Sequence, residues 1–445
     1  MTFSITTSLA SVAFMIILSL YLRKTPFNRL SGRLPPGPKR LPLIGNLLQV
    51  PTKFEWRTYH KWCEELATDI IHLDALGISI VVLDSIKAAQ ELVEKRSAIY
   101  SGRPQSIVLN EFLGQNRNLA FMEYGEEWRI RRRLFDQMFN PTASKRYHLR
   151  MAKATRALLK RLCENPDNLL GHIRHHAGSI ILAIVYGIEI LPENDPHVSI
   201  AEKAIRAGID ATLPGAYLVE NIPILKYVPE WFPGAGWKRR AKVTERMLRA
   251  MIVEPFETAS AGIARGTNTL SFTSFCHQIF QETHDPAYDE SLVRDVAGIT
   301  YQAGADTTVS TLHTFFLAMM ANPEAQKKAQ EEIDLVIPAG HLPDFSDHDS
   351  LPYVSAIIKE TFRWQPVTPV GVPHRLDKED VYRGYRIPGG SIVLCNVWAM
   401  LHDETVYPEP FSFKPERFLT QDGKLNPNVQ DPTQAFFGFG KRYGE

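Results

Sequence analysis

The chain has 445 residues, 44% of them hydrophobic and 22% charged, with 50 Lys and Arg set against 49 Asp and Glu for a formal net charge of +1. That composition can bury a large core, and its even charge excludes the basic bias that a nucleic-acid or polyanion binder carries. The cysteines, Cys63, Cys163, Cys276 and Cys395, lie far apart, with no CxxC pair and no histidine at metal spacing. That spacing leaves buried or idle free thiols rather than a disulfide framework or a zinc site. No internal repeat, low-complexity tract or Ser/Gly linker divides the chain after residue 55.

From Thr2 to Leu22 no side chain is charged, and "LASVAFMIILSLYL" with its flanks is long enough to cross a bilayer of about 30 Å. Residues 1–22 are therefore expected to form a single transmembrane anchor. Arg23, Lys24, Arg29, Arg33, Lys39, Arg40 and Lys53 follow with no acid before Glu55, which places the rest of the chain on the cytosolic side. A cleaved signal peptide would carry its basic residues ahead of the apolar run rather than behind it. Residues 23–54, with Pro35, Pro36, Pro38 and Pro42, form a basic, stiff, Pro-rich tether. Residues 55–445 then form one domain.

Along that domain, "EEWRIRRRLF" sets Trp128 and Arg132 at i, i+4 on a helix that by itself reads as a basic amphipathic surface. Further on, the apolar stretch 205–237 has Trp231, Phe232 and Trp237 beside Lys238, Arg239 and Arg240. It is either a plain hydrophobic loop or a second contact with the bilayer. "SLVRDVAGITYQAGADTTVSTLHTFFLAMMANPE" reads as a long, mostly buried helix, opened by a Ser able to cap it and stopped at Asn322-Pro323.

At the centre of that helix "AGADTT" (303–308) is poor helix material. Thr hydroxyls can turn onto carbonyls of the preceding turn and loosen the ladder. Gly, Asp and two Thr together in an apolar helix mark either close packing or an opening where a small ligand meets hydroxyl and carboxylate groups. "KETFRW" places Glu360 and Arg363 on one helix face, but an E-x-x-R spacing is weak evidence, since Glu126 and Arg129 repeat it. "DVYRGYRIPGGSIVLCNVWAM" reads as strands with a Pro-Gly-Gly turn between "YRI" and "SIVLCNV". The chain closes on "FFGFGKRYGE", a glycine- and aromatic-rich loop.

"EEWRIRRRLF", "AGADTT", "KETFRW", "VPHR", "KPERF" and "FFGFGKR" occur in the order that resembles the cytochrome P450 family, and the resemblance runs from the anchor through Lys441. The wording of "YSGRP" and "DVYRGYRIPGG" is most similar to fungal secondary-metabolism members of the microsomal type. The resemblance implies a mainly α fold with small β-sheets (α+β), haem b as cofactor, an NADPH-cytochrome reductase as partner, and a lipophilic small-molecule substrate. It also implies insertion of one oxygen atom from O2, in secondary metabolism or xenobiotic oxidation, by an enzyme anchored in the endoplasmic reticulum membrane and facing the cytosol.

Residue by residue, the resemblance implies that Thr307 hydrogen-bonds dioxygen at the iron and that Asp306 feeds the proton relay, with Gly304 beside them against the haem. Trp128, Arg132, His374 and Arg442 are the expected propionate contacts, and Phe437 opens the haem loop. Residue-type chemistry alone leaves His374 equally readable as a surface loop histidine. Glu360, Arg363 and Arg417 are implied to form one buried charge network, and residues 367–372 to line the substrate pocket. Arg129, Arg131 and Arg133 would face outward as a basic patch for an acidic electron-transfer partner.

The family's loop reads Phe-x-x-Gly-x-Arg-x-Cys-x-Gly. Phe437, Gly440 and Arg442 fill its first places, while Gly444 stands where the Cys belongs. A thiolate is what favours O–O cleavage at a haem, so no metal ligand is assigned. Tyr443 is one residue short of that position. The expectation is a P450 fold without the end of the haem loop and the last helix. The alternative to an active monooxygenase is a non-catalytic relic or a membrane-tethered lipophile-binding protein.

Overall fold

The computed structural model describes residues 32–212, 216–220 and 222–442; the anchor expected over 1–22 and Gly444 lie outside them. Among the described residues no helix is long and apolar enough to cross a membrane. The chain divides into two compact units, one of residues 1–102 and 370–399, the other of 103–369 and 400–445. Counting helices longer than ten residues, α1 (Glu55–Glu65) belongs to the first unit.

The first unit is built on a four-stranded sheet of β1 (Ile70–Ala75), β2 (Ile78–Leu83), β3 (His374–Arg375) and β6 (Ile392–Cys395), in the order β1-β2-β6-β3. Leu76 and Gly77 both take positive φ between β1 and β2, the mirror-image turn whose twist matches paired strands. β2 then pairs parallel with β6, Ile80 beside Ile392. Tyr59 and Cys63 of α1 pack on Ile71, Leu73 and Val82 to close the core. β4 (Asp380–Tyr382) and β5 (Tyr385–Ile387) form a separate hairpin. The stretches on either side of Pro-Gly-Gly are thus strands, as their composition predicts, but they belong to different sheets. His72 is buried in this unit, its Nδ1 accepting from Arg40 Nη2 at 2.7 Å and its Nε2 2.8 Å from Ser79 Oγ. Burial, and then Arg40, push its pKa down to about 4.

The second unit is helical: α2 (Glu126–Phe139), α3 (His148–Glu164), α4 (Leu169–Tyr186), α5 (Pro196–Thr212), α6 (Gly236–Ala264), α7 (Phe272–Thr283), α8 (Glu290–Ala321), α9 (Pro323–Val336) and α10 (Pro352–Trp364). α8 has 32 residues, roughly 48 Å at 1.5 Å per residue, and threads the core made by Leu182, Tyr186, Leu248, Met251 and Phe272. It ends where Asn322-Pro323 predicts. Its N-cap is Asp289 rather than Ser291, because Asp289 Oδ1 accepts from both the amide (2.9 Å) and the hydroxyl (2.6 Å) of Ser291. The helix stays α-helical through "AGADTT".

Two glycines set how closely α8 is approached. A Cβ on Gly298 would stand 2.7 Å from Ile252 of α6, and one on Gly304 2.9 Å from Ile181 of α4. Gly304 is therefore a packing glycine towards α4. A side chain at this turn would make the δ1 end of Ile181 shift.

Candidate functional site

The centre of α8 presents polar groups to two different surroundings. Thr307 Oγ1 donates to Ala303 O at 2.9 Å, and one turn on Thr311 Oγ1 donates to Thr307 O at 3.0 Å. Hydroxyls that bond back onto the ladder in this way keep α geometry while holding an oxygen at the helix surface. Asp306 instead lines a cleft of about 280 Å³ with Arg174 of α4, Arg206 and Glu202 of α5, and Tyr301, Ala305 and Val309 of α8 itself. Arg174 is tied to Glu202 at 3.2 Å. Two turns beyond Asp306, His313 Nε2 is buried without a hydrogen-bond partner. Burial, then Arg174, hold this imidazole below its ordinary pKa, with Asp306 opposing them.

A second cluster forms where residues 118–122 turn. Trp128 Nε1 and Arg442 Nη1 both donate to Leu119 O at 3.1 Å, and Arg442 Nη2 donates to Met122 O at 2.8 Å. The guanidinium lies over the Trp128 ring, 5.1 Å from its centroid. Arg103, buried, adds a third donor residue through Nε to Ala120 O at 2.9 Å. Arg132 Nε pairs with Asp136 Oδ1 at 2.8 Å, one turn further along α2. The loop that brings Arg442 here is held by Lys441, whose Nζ donates to Tyr124 Oη at 2.9 Å and draws that phenol below its usual pKa. Gly438 and Gly440 take φ of +91° and +69° in this loop, a left-handed conformation that glycine alone adopts without strain. Phe437 is packed edge-on to Phe362 of α10.

Glu360 and Arg363 are both fully buried. Arg363 Nε and Nη2 donate to the two carboxylate oxygens of Glu360 at 2.6 and 2.8 Å. Arg417 Nε adds bonds of 3.1 and 3.2 Å to the same carboxylate, and Lys414 N one of 2.7 Å. The remaining Arg363 donors go to Leu401 O, Pro410 O and Ser412 O at 3.1, 2.8 and 3.2 Å. Every charge is thus met by charge or carbonyl, the condition for a buried ion pair to persist. In the first unit His374 is buried with Nδ1 2.8 Å from Tyr100 O; a carbonyl only accepts, so Nδ1 carries the proton.

Residues 35–443 match the cytochrome P450 family model. The chain belongs to the cytochrome P450 family. It is 46% identical over 409 residues, 92% of this chain and 78% of the relative, to cytochrome P450 monooxygenase ple1 of Rhodocybe pseudopiperita. It is 43% identical over 409 residues, 92% and 78%, to cytochrome P450 monooxygenase 98 of Postia placenta. It is also 40% identical over 414 residues, 92% and 82%, to the tryptamine 4-monooxygenase of Psilocybe cyanescens. Membership makes it a P450 monooxygenase with haem b as its cofactor. The donor set fits that group on its carboxylate side. The indole and guanidinium N–H groups converge on one oxygen, and a carboxylate in that place would accept roughly twice as strongly as a neutral carbonyl. Among the described residues of the loop none is a cysteine.

Four parts of this P450 differ from the sequence reading or escaped it. Arg131 is no part of an outward patch: it is 5% exposed and bonded to Asp295 at 2.9 Å and Glu127 at 2.7 Å, because α2 turns that residue onto α8. Trp237 packs inward against Phe112 at 5.0 Å, whereas Trp231 is 79% exposed. Arg103 and the carbonyls of 119–122 went unread, since backbone atoms leave no mark in a sequence. So did Glu220, whose carboxylate caps the Val108–Phe112 turn by accepting from Ser106 Oγ (2.5 Å), Ile107 N (3.1 Å) and Val108 N (2.8 Å).

Proposed function

We propose that this P450 inserts one oxygen atom from O2 into a lipophilic small molecule, with electrons from NADPH delivered by a cytochrome reductase, in fungal secondary metabolism. The observation that carries the reading is the meeting of Trp128 and Arg442 at Leu119 O. Haem, when bound, would supply dioxygen activation. Trp128 and Arg442 would hold its carboxylates, stronger acceptors than the Leu119 and Met122 carbonyls they now meet, and Arg132 and His374 are assigned to the same task by resemblance. Phe437 walls the loop. Thr307 offers an oxygen at the surface of α8, its own proton engaged with Ala303 O. Asp306 stands at the charged cleft and carries protons from water there towards Thr307. Glu360, Arg363 and Arg417 hold the scaffold and touch no reacting atom.

The uncharged run 2–22 and the cations that follow support an anchor in the endoplasmic reticulum membrane with the domain facing the cytosol. Exposed Ile224, Tyr227, Trp231 and Phe232 support a second contact with the bilayer. A second reading, a membrane-tethered lipophile binder without catalysis, is favoured by Gly444 alone. The carbon-monoxide spectrum of the reduced, purified protein separates the two. A thiolate-type Soret band is expected for the monooxygenase. A protein that takes up a lipophilic ligand but never shows that band sinks the catalytic reading.

A further inference from the structure

We propose that the amide pair Asn118–Gln302 is a positioning contact that holds the 118–122 turn in register with α8 while the donors of that turn change partners. The inference rests on the reading that Trp128 and Arg442 hold the cofactor's carboxylates. Asn118 is buried and uses its whole amide. Its Oδ1 accepts from Ala120 N at 2.9 Å; a backbone amide is an unambiguous donor, so this bond fixes which end of the amide is oxygen. Nδ2 then donates to Gln115 Oε1 at 2.9 Å and to Gln302 Oε1 at 2.8 Å. The backbone carbonyl of Asn118 also accepts from Phe121 N and Met122 N at 2.9 and 2.8 Å.

One residue thus builds the turn from inside and ties it to α8 at the position just before "AGADTT". The turn is otherwise held by Trp128 and Arg442 through Leu119 O and Met122 O, and by Arg103 through Ala120 O. The bonds from Trp128 and Arg442 are released when a carboxylate takes those donors. The Gln302 acceptor is not released, and a buried Asn118 donor stripped of it would stand unsatisfied. The amide pair therefore keeps the turn in place in the loaded protein, and the dependence on it is greater there than in the cofactor-free protein.

Hydrogen–deuterium exchange of residues 113–122, together with the rate of haem loss, tests this in the full-length protein with and without haem. Gln302→Leu removes the acceptor; exchange in this segment is expected to rise several-fold in the haem-loaded protein, less without haem, and haem loss to accelerate several-fold. Gln302→Glu keeps an acceptor oxygen and is expected to stay near the parent in both measurements. Should Gln302→Leu fold poorly, Gln302→Asn, one methylene too short to reach, takes its place. Unchanged exchange in Gln302→Leu, or Gln302→Glu as severe as Gln302→Leu, overturns the proposal. If exchange responds as expected but Trp128→Phe and Arg442→Gln leave haem loss unaltered, the carboxylate reading fails and the positioning contact stands.

Discussion

The E-x-x-R spacing occurs on two helices of this molecule, and the two copies have opposite fates. Arg129 donates from Nε (3.0 Å) and Nη2 (2.6 Å) to one oxygen of Glu126, with side chains 50% and 61% exposed. Arg363 grips both oxygens of Glu360 at similar distances, with both side chains 0% exposed. Spacing decides only that the two side chains meet on a helix face. In the first pair water competes for both ions and the bond is worth little. In the second, neither ion can be left alone, so the surroundings had to supply Arg417, Lys414 N and three carbonyls as well.

The sharpest way to break this contrast is to remove one buried ion. Arg363→Leu takes from the buried Glu360 carboxylate the nearer of its two guanidinium partners, leaves three carbonyls without their donor, and is expected to cost about 3–5 kcal/mol in chemical denaturation, enough to threaten folding. A loss under about 1 kcal/mol would mean that water reaches the pair. Next in size is His72, where burial refuses a charge instead of satisfying one. Its folded pKa, about 4, lies below the ordinary 6.5, so protonation favours the unfolded chain. The stability it contributes is complete above pH 6.5 and is lost as the pH falls towards 4, on the order of 2–3 kcal/mol. Denaturation midpoints at pH 7 and pH 4.5 measure it, and His72→Gln should remove most of that pH dependence.

Smaller effects sharpen the comparison at the functional site. Trp128→Phe loses one hydrogen bond, about 1 kcal/mol of stability, but should lower the haem-to-protein ratio of purified material several-fold. Haem content equal to the parent's would contradict its carboxylate role. Thr307→Ala removes a hydroxyl bonded only to its own helix, so the melting temperature should hardly move. In protein that shows the thiolate-type band, oxygen consumption per product formed should rise; unchanged coupling would remove Thr307 from proton handling. Smallest of all, Arg129→Ala should leave the denaturation midpoint where it was, at low and at high salt alike, because water reaches both ions of the pair it breaks.

What the sequence discloses and what it hides divide along physical lines. The end of α8 is legible at Asn322-Pro323, because proline there both starts α9 and forbids a longer α8. Its beginning is ambiguous, since Asp289 and Ser291 are both good caps and only the hydrogen bond chooses. Glu360 and Arg363 were told apart from Glu126 and Arg129 by their place in the order of motifs, never by spacing. Among the arginines of "EEWRIRRRLF", the one that turns inward is selected by Asp295, 164 residues away. The same holds for Trp231 and Trp237, alike in composition and opposite in burial because Phe112 waits for one of them. The donor set at Leu119 was half visible, as side chains, while the carbonyls that receive it were not.

Gly304 and Ile181 share a single volume. The δ1 carbon of Ile181 already stands 2.9 Å from where the Cβ of residue 304 would be, so a methyl gained on α8 displaces the end of that side chain on α4. Gly304→Ala is costly alone and far milder beside Ile181→Val or Ile181→Ala, which makes the two positions a coupled pair in any mutational landscape. Thr307 lies one turn from that contact. The placement of its hydroxyl is therefore tied to a steric agreement one turn away on the same flank of α8.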